Sequence, residues 1–192
     1  MLLLVIGLLV FLGIHSVSIV APGWRAAQIA RLGEGPWKGL YSLVSIASFV
    51  AMLYGYGMAR HAPVMLYAPP VALRHLALLL MLPVFPLLIA AYLPGRIKRV
   101  ARHPMLLAVI LWALAHLIAN GSLRDVVLFG GFLLWAIADL VSVSRRKNPR
   151  AVPGAPASPV NDVIVVVAGL GFYAFMVLYG HAHWIGVAPV AP

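Results

Sequence analysis

Apolar residues run along this chain in six stretches, near residues 2–20, 38–58, 71–93, 104–119, 122–143 and 162–182. A helix needs about 20 apolar residues to cross a bilayer. The pattern therefore predicts an all-α fold, a polytopic membrane bundle of about six transmembrane helices. The fourth stretch is the shortest. The first reads as a retained helix, because a cleaved signal begins with positive charge and no Lys or Arg precedes Arg25.

Composition sharpens this picture. Of 192 residues, 64% are hydrophobic and 9% charged, whereas a soluble domain carries roughly 25% charged residues. There is no cysteine, which excludes disulfides, thiolate metal sites, iron–sulfur clusters and a cysteine nucleophile. Any metal must be held by His, the few carboxylates, Met or backbone. The net charge of +10 does not point to nucleic acid, because no patch interleaves bases with aromatics.

The charge instead marks topology. Eleven of the fourteen basic residues fall in alternate loops: Arg25, Arg31 and Lys38; then Arg96, Lys98, Arg99 and Arg102; then Arg145, Arg146, Lys147 and Arg150. The opposite loops hold Arg60, Arg74 and Arg124. Cytoplasmic loops carry the excess of Lys and Arg, so both termini are expected in the periplasm, with the chain in a bacterial inner membrane. Residues 1–145 read as a helix bundle and 146–161 as a Pro/Ala-rich cytoplasmic linker. Residues 162–192 read as an additional, loosely tethered transmembrane helix with a short periplasmic tail.

Pro83 and Pro86 in LPVFP should kink the third helix, because each removes a backbone donor. The kink either opens a cavity or is one of the prolines common in membrane helices. Tyr41, Ser42, Ser45 and Ser48 mark one side of the second helix, where small polar residues let helices pack closely. Gly130 and Gly131 invite the same reading. Trp24, Trp37 and Trp184 fall near water boundaries, where aromatic belts are expected.

Seven histidines against four carboxylates carry the candidate chemistry, since ionisable residues in a membrane are functional candidates. His61, His181 and His183 fall in or near external segments, solvated or at most a weak surface metal site. His15 is either a metal ligand or a neutral histidine bonded to a serine or carbonyl. His103 precedes Pro104, which suits a helix start; the positive helix end there disfavours imidazolium. A neutral ring is what metal ligation needs. His116 lies about 19.5 Å further along that helix and about 140° away in rotation, so one face does not present both. From helix midpoints, His15 and His103 lie about 6 and 13 Å towards the cytoplasm, His75 and His116 about 10 and 6 Å towards the outside. Depth alone slightly prefers His75 with His116.

Several strings together carry a family resemblance: FLGIHS at 11–16, APGWR at 21–25, LGEGPWKGLYSLVS at 32–45, LPGRIKRVARHPMLLAV at 93–109, LWALAHLIANG at 111–121 and WAIADLVS at 135–142. Over residues 1–145 the chain resembles the NnrU family of bacterial membrane proteins, which is similar to the plant and cyanobacterial zeta-carotene cis-trans isomerases. The resemblance implies a link to denitrification, through nitrite and nitric oxide reductase function, with components of those reductases as partners. The isomerase relatives hold a b-type haem between two histidines, which carry over to His15 and His103 as axial ligands to the haem iron. His116 and Asp139 match further shared positions. The stretch between Leu53 and Leu93 departs from the isomerases. Arg25, Arg96, Arg99 and Arg102 are on the expected face to meet haem propionates, or serve topology alone. Asp139 would orient a ligand imidazole or pair with Arg102. The chemistry implied is haem as Lewis acid or electron carrier, with a hydrophobic small molecule as a conceivable substrate.

Three other readings compete. A non-enzymatic membrane partner or assembly factor of a reductase would use its histidines for packing. A membrane methyltransferase is suggested by the Arg-His-Pro turn with nearby Asn120, but the paired glutamates of such enzymes are missing, Glu34 being the only Glu. A transporter with two three-helix halves lacks any visible repeat.

Overall fold

The computed structural model describes residues 1–146 and 154–190; residues 147–153, most of the N-terminal half of the expected linker, lie outside the described residues. The described chain is helical apart from one isolated bridge, Met65 to Ser122. Five helical stretches are long and apolar enough to cross a membrane: Leu2–Val20, Glu34–Met58, Val71–Ala90, Leu123–Ser144 and Val160–Ile185. The fourth apolar stretch forms Pro104–Ala119, of 16 residues. These are the helices of a multi-pass membrane protein. They fall into two compact units, Met1–Ala68 with Gly121–Arg146, and Pro69–Asn120 with Lys147–Pro192.

The first unit contains α1 (Leu2–Val20), α2 (Pro22–Leu32), α3 (Glu34–Met58) and α8 (Leu123–Ser144). Helices α1 and α3 run antiparallel with their backbones nearly touching. A methyl at Gly7 would lie 2.5 Å from the Met52 nitrogen, and one at Gly55 would collide with the backbone of Leu3 and Leu4. Two apolar helices in lipid gain nothing from hydrophobic exclusion of water, so close backbone approach through small residues drives their association. Of the expected small polar stripe, Ser48 is buried, whereas Ser42 is exposed. Gly131 packs against Leu8, but Gly130 faces open space. The short α2 starts at Pro22 and ends at Gly33, whose φ of 86° suits glycine. Trp24 meets Trp37 edge to face at 5.8 Å and ties α2 to α3.

The second unit contains α4 (Val71–Met81), α5 (Val84–Ala90), α6 (Arg96–Ala101), α7 (Pro104–Ala119), α9 (Val160–Phe175) and a π-helical continuation, Met176–Ile185. The expected kink is a full break at Leu82–Pro83. The Leu82 N–H turns to the Leu79 carbonyl at 3.3 Å, which diverts it from Leu78. The Tyr173 hydroxyl donates to that Leu78 carbonyl at 3.0 Å. A freed carbonyl in lipid needs such a partner. Gly169 seats α9 directly on Pro86, where a methyl would lie 2.5 Å from the Pro86 nitrogen. The break is thus filled by α9.

That contact also revises the expectation of a loosely tethered last helix. Both oxygens of Asp162 accept backbone N–H groups, from Arg96 at 2.8 Å and Ile97 at 3.0 Å. Asn161 donates to the carbonyls of Pro94 and Pro156 at 2.8 and 2.9 Å. A Pro/Ala-rich linker says nothing about how its far end is received.

Candidate functional site

His15 sits on α1 in the first unit, half-buried. Its Nδ1–H donates to the Phe11 carbonyl at 2.6 Å. That bond fixes the tautomer and leaves the lone pair on Nε2, the arrangement that metal-ligating histidines use. No other hydrogen bond reaches the ring among the described residues. Aromatic rings enclose it: Phe11 at 4.2 Å, Tyr41 of α3 at 5.3 Å and Trp135 of α8 edge-on at 6.0 Å. Phe49 and Phe132 extend the wall, each 5.8 Å from Phe11.

Two polar atoms at this level are buried and unsatisfied. They are the Trp135 indole nitrogen and the Ser45 hydroxyl, one turn from Tyr41 on α3. A buried donor without a partner costs about 1–3 kcal/mol, and such atoms call for a ligand or water. Along α8 and just past its end, Trp135, Asp139, Ser142 and Arg146 follow one another at three- and four-residue steps. Arg146 donates to the Ser18 carbonyl at 2.9 Å and to the Ser142 hydroxyl at 3.1 Å. It stands 3.8 Å from the Asp139 carboxylate, so Arg146 is a cation facing Asp139 within this unit. Sequence reasoning credited Arg146 to topology alone. Arg25 is half-buried on α2.

The other histidines belong to the second unit except His61, which is exposed in the first. His103 caps α7 without a side-chain hydrogen bond. It follows a tight γ-turn in which the His103 N–H bonds the Ala101 carbonyl at 2.6 Å. Arg102 at the centre has φ 59° and ψ −53°, an uncommon and strained conformation for a residue with a side chain. Such strain costs about 1–3 kcal/mol and clusters at functional sites. Arg99 and Arg102 are both exposed. His116 repeats the pattern of His15, with its Nδ1–H donating to the Trp112 carbonyl at 2.8 Å. Its ring lies 6.3 Å from that of His181. His181 in turn donates to the Val187 carbonyl at 2.6 Å. So His181, expected to be solvated, is half-buried beside a membrane histidine. His75 is exposed on α4. Among the described residues no three His or carboxylate groups cluster as a metal-binding set.

A second polar cluster went unnoticed in the sequence. Asp125, only 4% exposed, accepts from the Tyr56 hydroxyl and the Ser122 hydroxyl, each at 2.5 Å. Ser122 and Asp125 also form a capping box that starts α8. Arg124 stacks over Tyr56, 5.1 Å from the ring centroid. Nearby, burial and the Asp125 carboxylate push the Tyr67 phenol above its ordinary range. The Ser-x-x-Asp spacing was the available signal; the Tyr56 partner, 69 residues away, had none.

No curated protein and no solved structure matches this chain. A family model described as "NnrU protein" matches residues 3–189, reaching beyond the stretch of quoted strings and through the last helix: the chain belongs to the NnrU family.

Proposed function

We propose that this NnrU-family protein binds a b-type haem in a bacterial cytoplasmic membrane and works beside nitrite or nitric oxide reduction. The observation that carries the reading is the His15 environment. An imidazole whose Nδ1 is already bonded to a carbonyl offers Nε2 to iron, and an aromatic wall with an unsatisfied indole donor surrounds it. These residues would suit His15 to hold a haem iron. His103 would be the second ligand in this proposal, as the resemblance implies, and His116, with the same carbonyl-bonded Nδ1, the alternative. Arg25, Arg99 and Arg102 are the cations offered to the propionates. If bound, haem would supply electron transfer or Lewis-acid chemistry of the isomerase kind. The protein's part is to fix the imidazole, exclude water with the aromatic wall and hold Asp139 against Arg146.

The test is the absorption spectrum and haem content of protein purified from haem-replete cells, with His15→Ala, His103→Ala and His116→Ala alongside. The expected result is a six-coordinate spectrum in the parent that collapses in His15→Ala and in one of the other two. A colourless, fully folded parent would instead support a non-enzymatic partner of a reductase.

A further inference from the structure

We infer that the second unit carries a site for the phosphate of an anionic lipid, in the cavity between α6 and the start of α9. The cavity measures about 460 Å³ and its lining includes Arg96, Lys98, Arg99, Ser158 and Asp162. Three cations face one carboxylate, and the carboxylate is already engaged. Asp162 accepts the backbone N–H groups of Arg96 and Ile97, pressed so close to Gly95 that a methyl there would overlap it. Asp162 thus holds α6 against α9, and its single charge, which both arginines help to stabilise, leaves two of the three cations uncompensated.

The basic groups keep their donors. Arg96 and Arg99 form no ion pair or side-chain hydrogen bond among the described residues. Lys98 donates one proton, to the Ala91 carbonyl at 2.7 Å, which leaves two. The Ser158 hydroxyl accepts from the Val160 N–H at 3.3 Å and retains its own proton. Two guanidinium groups, an ammonium and a hydroxyl on one cavity match phosphate oxygens in charge and geometry.

The position selects a lipid over free phosphate. One apolar span ends at Ala90 and another begins at Val160, so the cavity sits where hydrocarbon gives way to water, the level of lipid phosphates. Tyr92, Val160 and Val163 are exposed beside it, and Val100, next to Arg99, is 83% exposed. An acyl chain would cover these surfaces, for which free phosphate has no use. Basic pockets between membrane helices bind anionic head groups in this way.

The experiment titrates full-length protein in detergent with dioctanoyl phosphatidylglycerol, dioctanoyl phosphatidylcholine and inorganic phosphate, and follows the thermal midpoint. Phosphatidylglycerol should raise the midpoint, and the other two should not. Losing both arginines in Arg96→Gln/Arg99→Gln should weaken binding about tenfold per arginine. Arg96→Lys/Arg99→Lys should retain most of it, which separates charge loss from misfolding. Arg74→Gln, at the other end of the Val71–Ala90 span, should bind like the parent. Equal stabilisation by phosphatidylcholine, or undiminished binding by the Gln variant, overturns the proposal. Inorganic phosphate binding as tightly as phosphatidylglycerol overturns the assignment to lipid. Haem content is recorded for each variant; parallel loss of haem and lipid binding would give Arg99 to the porphyrin and overturn the lipid assignment.

Discussion

The two units solve the same problem, burying helices in lipid, by opposite means. The first brings backbones together through glycine: Gly7 lies against Met52 and Gly55 against Leu4. Its helices are continuous and its polar groups are concentrated in two places, around His15 and around Asp125. The second is built on interruption. Pro83 breaks a span, and α9 repairs the break with the Tyr173 hydroxyl and the Gly169 contact. The lesson is that in lipid a continuous helix needs only close packing, whereas a broken one needs a dedicated partner for each carbonyl it frees.

The comparison can be broken most severely at Asp125. Asp125→Ala leaves the Tyr56 and Ser122 hydroxyls without their acceptor and Arg124 without the counter-charge 3.6 Å away, so a loss of about 3–5 kcal/mol is expected. Denaturant unfolding in mixed micelles measures it; a loss under about 1 kcal/mol would show the cluster to be dispensable. Next comes Gly7→Leu, which forces α1 from α3 at a cost of about 1–3 kcal/mol. Hydrogen exchange should rise in α1 and α3 and stay at the parent level in α5 and α9. Exchange rising equally in both units would erase the distinction between them. Tyr173→Phe removes only the hydroxyl that satisfies Leu78, so a loss of about 1 kcal/mol is expected, confined to α4, α5 and α9. At the bottom of the scale, Glu34→Gln breaks the exposed Lys38 pair and should leave the unfolding midpoint unchanged.

Much of the fold was legible from hydropathy. The bounds of α1 and α7 coincide with the apolar stretches, because an abrupt end of hydrophobicity at Pro22 or a start at Pro104 is written in the residues themselves. Pro83 announced its break for the same reason. The glycine contacts were not legible, because Gly7 and Gly55 look like any glycine in an apolar run until the opposing backbone is known. Nor was the π-helical turn over Met176–Ile185, whose i→i+5 bonding carries no compositional mark. The site was half legible. His15 stood out as an imidazole in an apolar run, and its tautomer is set locally by the Phe11 carbonyl one turn back, but its Trp135 neighbour belongs to α8, more than a hundred residues away. The role of Asp162 was hidden likewise, since nothing in the linker composition indicates that the next helix begins by capping α6.

The most direct measurement is chemical rescue at His15. His15→Gly protein, purified from haem-replete cells, should show a weakened or five-coordinate haem spectrum, and added imidazole should restore the parent's six-coordinate bands. A His15→Gly spectrum identical to the parent's without imidazole would remove His15 from the iron and contradict the proposed role of the aromatic chamber around it.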